Sequence, residues 1–318
     1  MENNQNFQQN QQQNLNKNKQ KLSLDISNLI FSQKLTEMGQ AQQKIQKTPG
    51  LGMTYQGKFY DNQNEQKLIL NIKKIKCITY NVWFEPHKFE ERNKELCNIF
   101  LKYSPDFICL QEVTNQFMAL LRQNEKIMNK YYITDNQIGN YGVLILSKYP
   151  AQVFEVKFTN SYMGRSLLYL KLNIDKKDII ISTSHLESLG PNAKKRKEQI
   201  QSVYQHFNDM KDVLFMGDFN FDSPQENNNV DRQNYDDLWE ILKDKNEESY
   251  TMKGNSYFPP WRPDRILCKK NGNLDPVHIE RIGTEPIPYY QQNKAQHSDV
   301  IVTPSDHFGL YAEFEMFD

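Results

Sequence analysis

The segment Val213 to Asp222, VLFMGDFNFD, is an apolar run that breaks off in Gly217-Asp218-Phe219-Asn220. Such a run reads as a buried strand that delivers a carboxylate and an amide to the rim of a sheet. Gly217 lets the backbone turn sharply, and an extended chain beyond it points Asp218 and Asn220 to the same side. A carboxylate there can activate water, while a neighbouring amide holds the base or donates to a substrate oxygen. A single Gly-Asp pair after a strand is ordinarily just a turn. Here the pattern recurs: Asn81, Glu112, His185, Asp218 with Asn220, and His307 each sit where an apolar stretch ends or begins.

Gathered at one rim, these side chains would form a cleft suited to metal-assisted hydrolysis of a phosphoryl ester. Glu112 is a single hard oxygen ligand of the kind Mg²⁺ accepts, with Mn²⁺ as its substitute. Asp218 is placed to orient or deprotonate water. His307, held protonated by Asp264, could donate to a phosphoryl oxygen as charge builds in the transition state. Asn81 and Asn220 would keep nucleophile and phosphate in line. A lone His at a strand end is usually a hydrogen-bonded core residue and a lone Glu is usually solvated, so it is the joint occurrence that carries the inference.

Strands are expected at Ile75–Tyr80, Phe107–Leu110, Val143–Ser147, Val153–Phe158, Leu167–Ile174, Ile179–Ser184, the segment after Trp261, and Phe308–Phe314. Helical periodicity covers Phe89–Tyr103, Asn115–Gln123, Asn192–Met210 and Tyr235–Leu242. Two similar halves of strands with intervening helices suit an α+β domain in which two sheets pack face to face with helices outside. That domain is expected to span 68–318. Of the first 20 residues 14 are Asn or Gln, a composition that cannot bury enough surface to stay ordered. Residues 21–67 are expected to hold one amphipathic helix, a surface for the domain or a protein partner, and a linker. Gln291–Thr303 reads as a polar loop, and the run Lys194, Lys195, Arg196, Lys197 as a solvated helix face.

At 318 residues and 38% hydrophobic content the chain can bury one large core. No apolar run approaches the roughly 20 residues that cross a bilayer, and no secretory signal opens the chain, so a soluble intracellular monomer is expected. Cys77, Cys97, Cys109 and Cys268 are widely spaced, with no CxxC pair, which favours buried thiols over disulfides or zinc. Basic and acidic residues balance at 39 each, so nucleic-acid binding would need a local patch.

In order along the chain, TYN (79–81), LQEV (110–113), SHLES (184–188), GDFN (217–220), DRI (264–266) and SDH (305–307) resemble the motifs of the endonuclease/exonuclease/phosphatase superfamily. Within it, SPDFICLQEVT, MGRSLL, HLES and SDHFGL look most like the tyrosyl-DNA phosphodiesterase 2 family. The resemblance implies a four-layered α/β sandwich that uses Mg²⁺ to hydrolyse the 5′-phosphotyrosyl bond left on DNA by a trapped topoisomerase. It implies Glu112 as metal ligand with Asn81 nearby, and Asp218, Asn220, Asp264 and His307 as the catalytic set, joined by Asn81 and His185. It further implies Ser188, Arg165 and Trp261 as substrate contacts. A tyrosine phenol, with its ordinary pKa of about 10, is a good leaving group. A single-stranded DNA end carrying the adduct would be the partner, and a nuclear location follows from that substrate, with the cytoplasm as a second compartment.

The chain departs from vertebrate members at Gly190 and Asp222, where they carry arginines, and at Met252, where they carry an aromatic. These departures bear on substrate grip more than on chemistry. Two alternatives stay open: another phosphoesterase of the superfamily, acting on abasic DNA, RNA tails, inositol or sphingolipid phosphates, and a catalytically silent interaction protein.

Overall fold

The computed structural model describes residues 51–56, 58–61, 72–174, 176–254, 258–288 and 302–317. The expected tail and N-terminal helix, and most of the polar loop before Thr303, lie outside the described residues.

Long apolar runs become the central strands because a strand covered on both faces needs no polar alternation. These are β3 (Lys74–Asn81), β4 (Phe107–Val113), β6 (Gly142–Ser147), β8 (Ser166–Ile174), β9 (Lys177–His185) and β10 (Asp212–Asp218). Around them lie β1 (Gly52–Tyr55), β2 (Lys58–Asp61), β5 (Tyr132–Thr134), β7 (Gln152–Lys157), β11 (Tyr235–Asp237), β12 (Asp264–Lys269), β13 (Leu274–Ile282) and β14 (Gly309–Met316). One sheet has eight strands in the order β13-β14-β3-β4-β6-β5-β1-β2, the other six in the order β11-β12-β10-β9-β8-β7.

Alternation along each strand divides its side chains between two cores. Cys77, Cys109 and Ile145 of the larger sheet share a cluster with Leu170, Ile181, Leu214 and Ile266 of the smaller one, so the sheets pack face to face. Ile78, Tyr80, Ile108 and Leu110 point outward, to α1 (Phe89–Tyr103) and α2 (Asn115–Gln123). Ile180, Val213 and Phe215 point the other way, to Ile200 and Val203 of α4 (Ala193–His206). The four layers are therefore helix, sheet, sheet, helix, as expected. A one-turn α3 (Glu125–Met128) and a short α5 (Leu238–Leu242) complete the helices among the described residues. All four cysteines are free and buried.

Several boundaries differ from expectation. The sheet starts upstream of Leu68, because β1 pairs with β2 and β5 where a linker was expected. Tyr235–Asp237 is a strand on β12, and only Leu238 onward is helical, because Asp237 accepts from Trp239 N–H at 3.2 Å and caps the helix there. The helix expected over 192–210 ends at His206. Arg196 is fully buried rather than part of a solvated face. Gly217 is no turn: it lies inside β10 with φ 148°, where an added Cβ would stand 2.0 Å from the Ser184 carbonyl oxygen on β9. Its lack of a side chain serves a close strand approach.

Candidate active site

The topology decides which side chains meet. β3 and β4 run parallel in one sheet, and β9 and β10 run parallel in the other. Their carboxyl ends open on the same rim, where Asn81 of β3 reaches Asp218 of β10. In the strand register Asp218 lies opposite His185 on β9 and Asp264 on the antiparallel β12. Gln111 ties the sheets together just beneath, donating to Thr79 and, across the interface, to Thr183 Oγ1 at 2.9 Å.

Asp218 is buried and multiply held. Oδ2 accepts from Asn81 Nδ2 at 2.9 Å, and Oδ1 accepts from Asn220 N–H at 2.8 Å. The Asn81 amide is oriented because its Oδ1 takes the Trp83 N–H at 3.0 Å, and a backbone N–H can only donate. His185 Nε2 lies 3.4 Å from Asp218 Oδ2, and its Nδ1 lies 2.9 Å from Arg165 Nη1. Arginine is always a donor, so His185 accepts at Nδ1 and its single proton sits on Nε2, facing Asp218. Burial, followed by Arg165, pushes the His185 imidazole well below its ordinary range, which keeps it neutral.

His307 spans two aspartates, with Nδ1 2.8 Å from Asp264 Oδ2 and Nε2 3.9 Å from Asp218 Oδ2. Burial works against its charge, but Asp264, Asp218 and Asp306 outweigh it and hold the imidazole protonated well above its ordinary pKa. Asp264 also accepts from Thr251 Oγ1 at 2.5 Å. Burial, then the neighbouring Asp264, pushes the Asp218 carboxyl up to about 6 against the pull of His307.

Backbone strain concentrates at this rim: Trp83 (φ 59°), Glu112 (φ 59°), Leu189 (φ 75°) and Asn220 (φ 52°) all lie at positive φ. Glu112 follows a register break between Leu110 and Val113 that re-aims its side chain. Its Oε2 accepts from Phe84 N–H at 3.1 Å, and burial raises its pKa. Asn220 reaches the site through a left-handed backbone, not by the extended alternation expected. Its Nδ2 donates to Leu186 O at 3.0 Å and Ser188 Oγ at 3.2 Å, and Ser188 Oγ also accepts from Arg165 Nη2 at 2.8 Å.

A sequence model described as the Endonuclease/Exonuclease/phosphatase family matches residues 78–307, from the middle of β3 to His307. The chain belongs to that family. Among curated members it is 30% identical over 253 residues to tyrosyl-DNA phosphodiesterase 2 of Rattus norvegicus, covering 74% of this chain and 65% of that protein. It is 26% identical over 261 residues to the Homo sapiens protein of the same name, covering 75% and 67%. The chain thus spans about two thirds of the length of these relatives. A solved structure of humanized Danio rerio TDP2 superposes with a TM-score of 0.66 at 25% identity, covering 77% of this chain and all of that one. Danio rerio TDP2 complexed with a single-strand DNA product superposes with a TM-score of 0.67 at 23% identity, which speaks for the fold.

Members of the Endonuclease/Exonuclease/phosphatase family hydrolyse phosphate esters with a divalent metal, and the residues present fit one. Glu112, Asp218, Asp264 and Asp306 act on one another, with the His307 imidazolium and, for Glu112 and Asp306, the buried Arg92 guanidinium as the cations among them. Asp264 Oδ1 is buried with no hydrogen-bond partner. This excess of buried oxygen charge suits a hard cation. Asp218, Asp264 and His307 place ligand atoms within 4.8 Å of one another, yet their short contact is internal, His307 to Asp264, which marks them as a hydrogen-bonded triad. Glu112 and Asp306 stand outside that triad.

The structure brings together Asn81, Glu112, His185, Asp218, Asn220, Asp264, His307, Ser188 and Arg165. Trp261 stands apart: it is half-buried and pairs with Met252, which in turn pairs with His307. Thr251 went unnoticed in the sequence although it adjoins Met252. So did Tyr141, whose ring lies 5.0 Å from the Arg165 guanidinium and stacks on Phe84 at 4.9 Å.

Proposed function

We propose that this chain is a metal-dependent phosphodiesterase that hydrolyses the 5′-phosphotyrosyl bond between a DNA end and a protein adduct, leaving a 5′-phosphate for double-strand break repair. The observation that carries the reading is Asp218, a buried carboxylate lifted to about 6 and flanked by neutral His185 and charged His307. Likeness to curated tyrosyl-DNA phosphodiesterases supports the substrate.

Asp218 takes the proton of the attacking water, with Asn81, the Asn220 N–H and His185 Nε2–H fixing the direction of its lone pairs. His307, kept charged by Asp264, donates to the phosphoryl oxygen as negative charge accumulates. The Ser188 hydroxyl, whose oxygen accepts from Arg165 and Asn220, would donate to the same oxygens, and the buried Arg165 behind it would add positive charge. Glu112, with Asn81 beside it, would hold Mg²⁺ or Mn²⁺, which when bound acts as a Lewis acid on the phosphoryl group. A DNA substrate also places the protein in the nucleus, which fractionation of cells would test.

Tyrosine release from a 5′-phosphotyrosyl oligonucleotide, with Mg²⁺ or with EDTA, tests the reading. Turnover that needs the metal, and Mg²⁺ binding by calorimetry that weakens at least tenfold in Glu112→Gln, is expected. No turnover on that substrate, together with cleavage of an abasic oligonucleotide or a phosphoinositide, would keep the site and replace the substrate.

A further inference from the structure

Tyr162 lies in the turn between β7 and β8, and its ring is 81% exposed. A side chain so exposed is usually mobile, but here the backbone beneath it is pinned. Glu187 is fully buried and accepts from Ser161 Oγ at 2.7 Å, Tyr162 N–H at 2.8 Å and Met163 N–H at 3.2 Å. The Ser161 hydroxyl accepts in turn from Arg165 N–H at 2.8 Å. From the neighbouring helix, Lys195 Nζ sits 3.6 Å from the centre of the Tyr162 ring. Lys194 is 88% exposed on the same first turn of α4 and lies 3.9 Å from Glu198 one turn on, so it is shared between that carboxylate and solvent.

This aromatic on its pinned backbone, with its cations, is continuous with the active site. Glu187 stands between His185 and Ser188, and Arg165, three residues after Tyr162, holds both. A flat ring with adjacent ammonium groups is the chemistry that receives a nucleobase by stacking and its phosphate by charge, without regard to sequence. Balanced overall charge leaves such a local patch as the means of gripping a polyanion.

We infer that Tyr162, with Lys194 and Lys195, forms an accessory subsite for single-stranded DNA, one that stacks a base of the substrate strand away from the scissile phosphate. The inference rests on the phosphodiesterase reading above and adds to it where part of the strand is held.

The test compares wild type, Tyr162→Ala, Tyr162→Phe and Lys195→Gln on a 5′-phosphotyrosyl oligonucleotide of about twelve residues and on a tyrosyl mononucleotide. For Tyr162→Ala, KM on the oligonucleotide is expected to rise about tenfold with kcat within about twofold, and the mononucleotide to show no such change. Tyr162→Phe keeps the ring and restores the wild-type KM. Lys195→Gln lowers the slope of binding against salt by about one. An unchanged KM on the oligonucleotide overturns the inference. So does an equal rise on both substrates, or a rise that follows the length of peptide on the tyrosine and not the length of DNA. If wild type turns over neither substrate, the phosphodiesterase reading fails by itself. Fluorescence anisotropy of the oligonucleotide in EDTA then still decides the subsite by whether Tyr162→Ala weakens binding.

Discussion

Asp264 and Arg265 are consecutive on β12, and strand alternation sends them to two buried charge clusters on opposite faces. Arg265 points to Asp237, which accepts from Arg265 Nη1 at 2.6 Å and from Arg262 Nη1 at 2.7 Å. There burial opposes the Asp237 charge, but Arg265 and Arg262 outweigh it and hold the carboxyl below its ordinary range. Asp264 points to Asp218 and His307, where carboxylates outnumber cations and Asp218 is pushed up to about 6. Both clusters are equally hidden from water. The difference in balance teaches which one holds the fold together and which one is poised to move a proton or accept a cation.

The widest separation comes from removing one carboxylate from each. Asp218→Asn is expected to lower kcat/KM about 10³-fold, since the amide cannot take a proton. Its Tm is expected to stay level or rise, because a charge crowded by Asp264 is gone. Asp237→Asn should do the reverse. Two arginines left with only Glu240, at 3.4 and 4.0 Å, cost about 3 kcal/mol of stability, while activity per folded molecule stays within about twofold. Denaturant melts and single-substrate kinetics on both variants check this, and a fall in Tm for Asp218→Asn with activity retained would erase the distinction.

Acid titration sharpens the same contrast. The Asp218 carboxyl is raised in the folded protein, so the native state holds its proton more tightly than the unfolded chain. Between pH 4 and 6 the contribution of this group to stability therefore falls as pH rises, by on the order of 2 kcal/mol. Raised His307 has the same sign at higher pH: its contribution is full below about 6.5 and is lost as pH climbs through its folded pKa. Asp237, held low, contributes above its unfolded pKa and loses that only in stronger acid. Activity should run opposite to stability on the acid side, dropping as pH falls through about 6 and Asp218 takes up its proton. Melts across pH 4 to 8 for wild type and Asp218→Asn would show the Asp218 part of the slope, between pH 4 and 6, disappear in the variant while the His307 part at higher pH stays.

What the sequence reveals of these clusters follows their physics. β3, β4, β9 and β10 are covered on both faces and so carry apolar stretches such as FICL, III and VLFM, each followed by a polar residue near the rim. Edge strands lack that signature: β13 carries Pro276, His278 and Glu280 in a mixed polar run, which an edge tolerates and a central strand does not. Arg196 was hidden in a lysine-rich run, although it shares a helix face with buried Ile200 and Val203. Its guanidinium takes Glu226 through Nε at 2.8 Å and the Leu189 carbonyl through Nη1 at 2.7 Å. The pairing of Asp237 with Arg262 and Arg265 was equally unreadable, since ordinary surface charges carry no mark of where the chain will fold them.

Thr251 offers the smallest test of the poised cluster. Its hydroxyl donates to Asp264 at 2.5 Å on the oxygen that also faces His307. Thr251→Val keeps the shape and removes the donor, so Asp264 loses about 1 kcal/mol of support for its charge. A less supported carboxylate binds the imidazolium proton more strongly but fixes the ring less well. We expect kcat to fall about fivefold with KM unchanged, and the alkaline limb of the pH profile to stay in place or move upward. A downward move would mean that Thr251, and not Asp218 or Asp306, supplies what keeps His307 charged. A kcat indistinguishable from wild type would mean that the His307 contact alone is enough to hold Asp264, and the triad would end there.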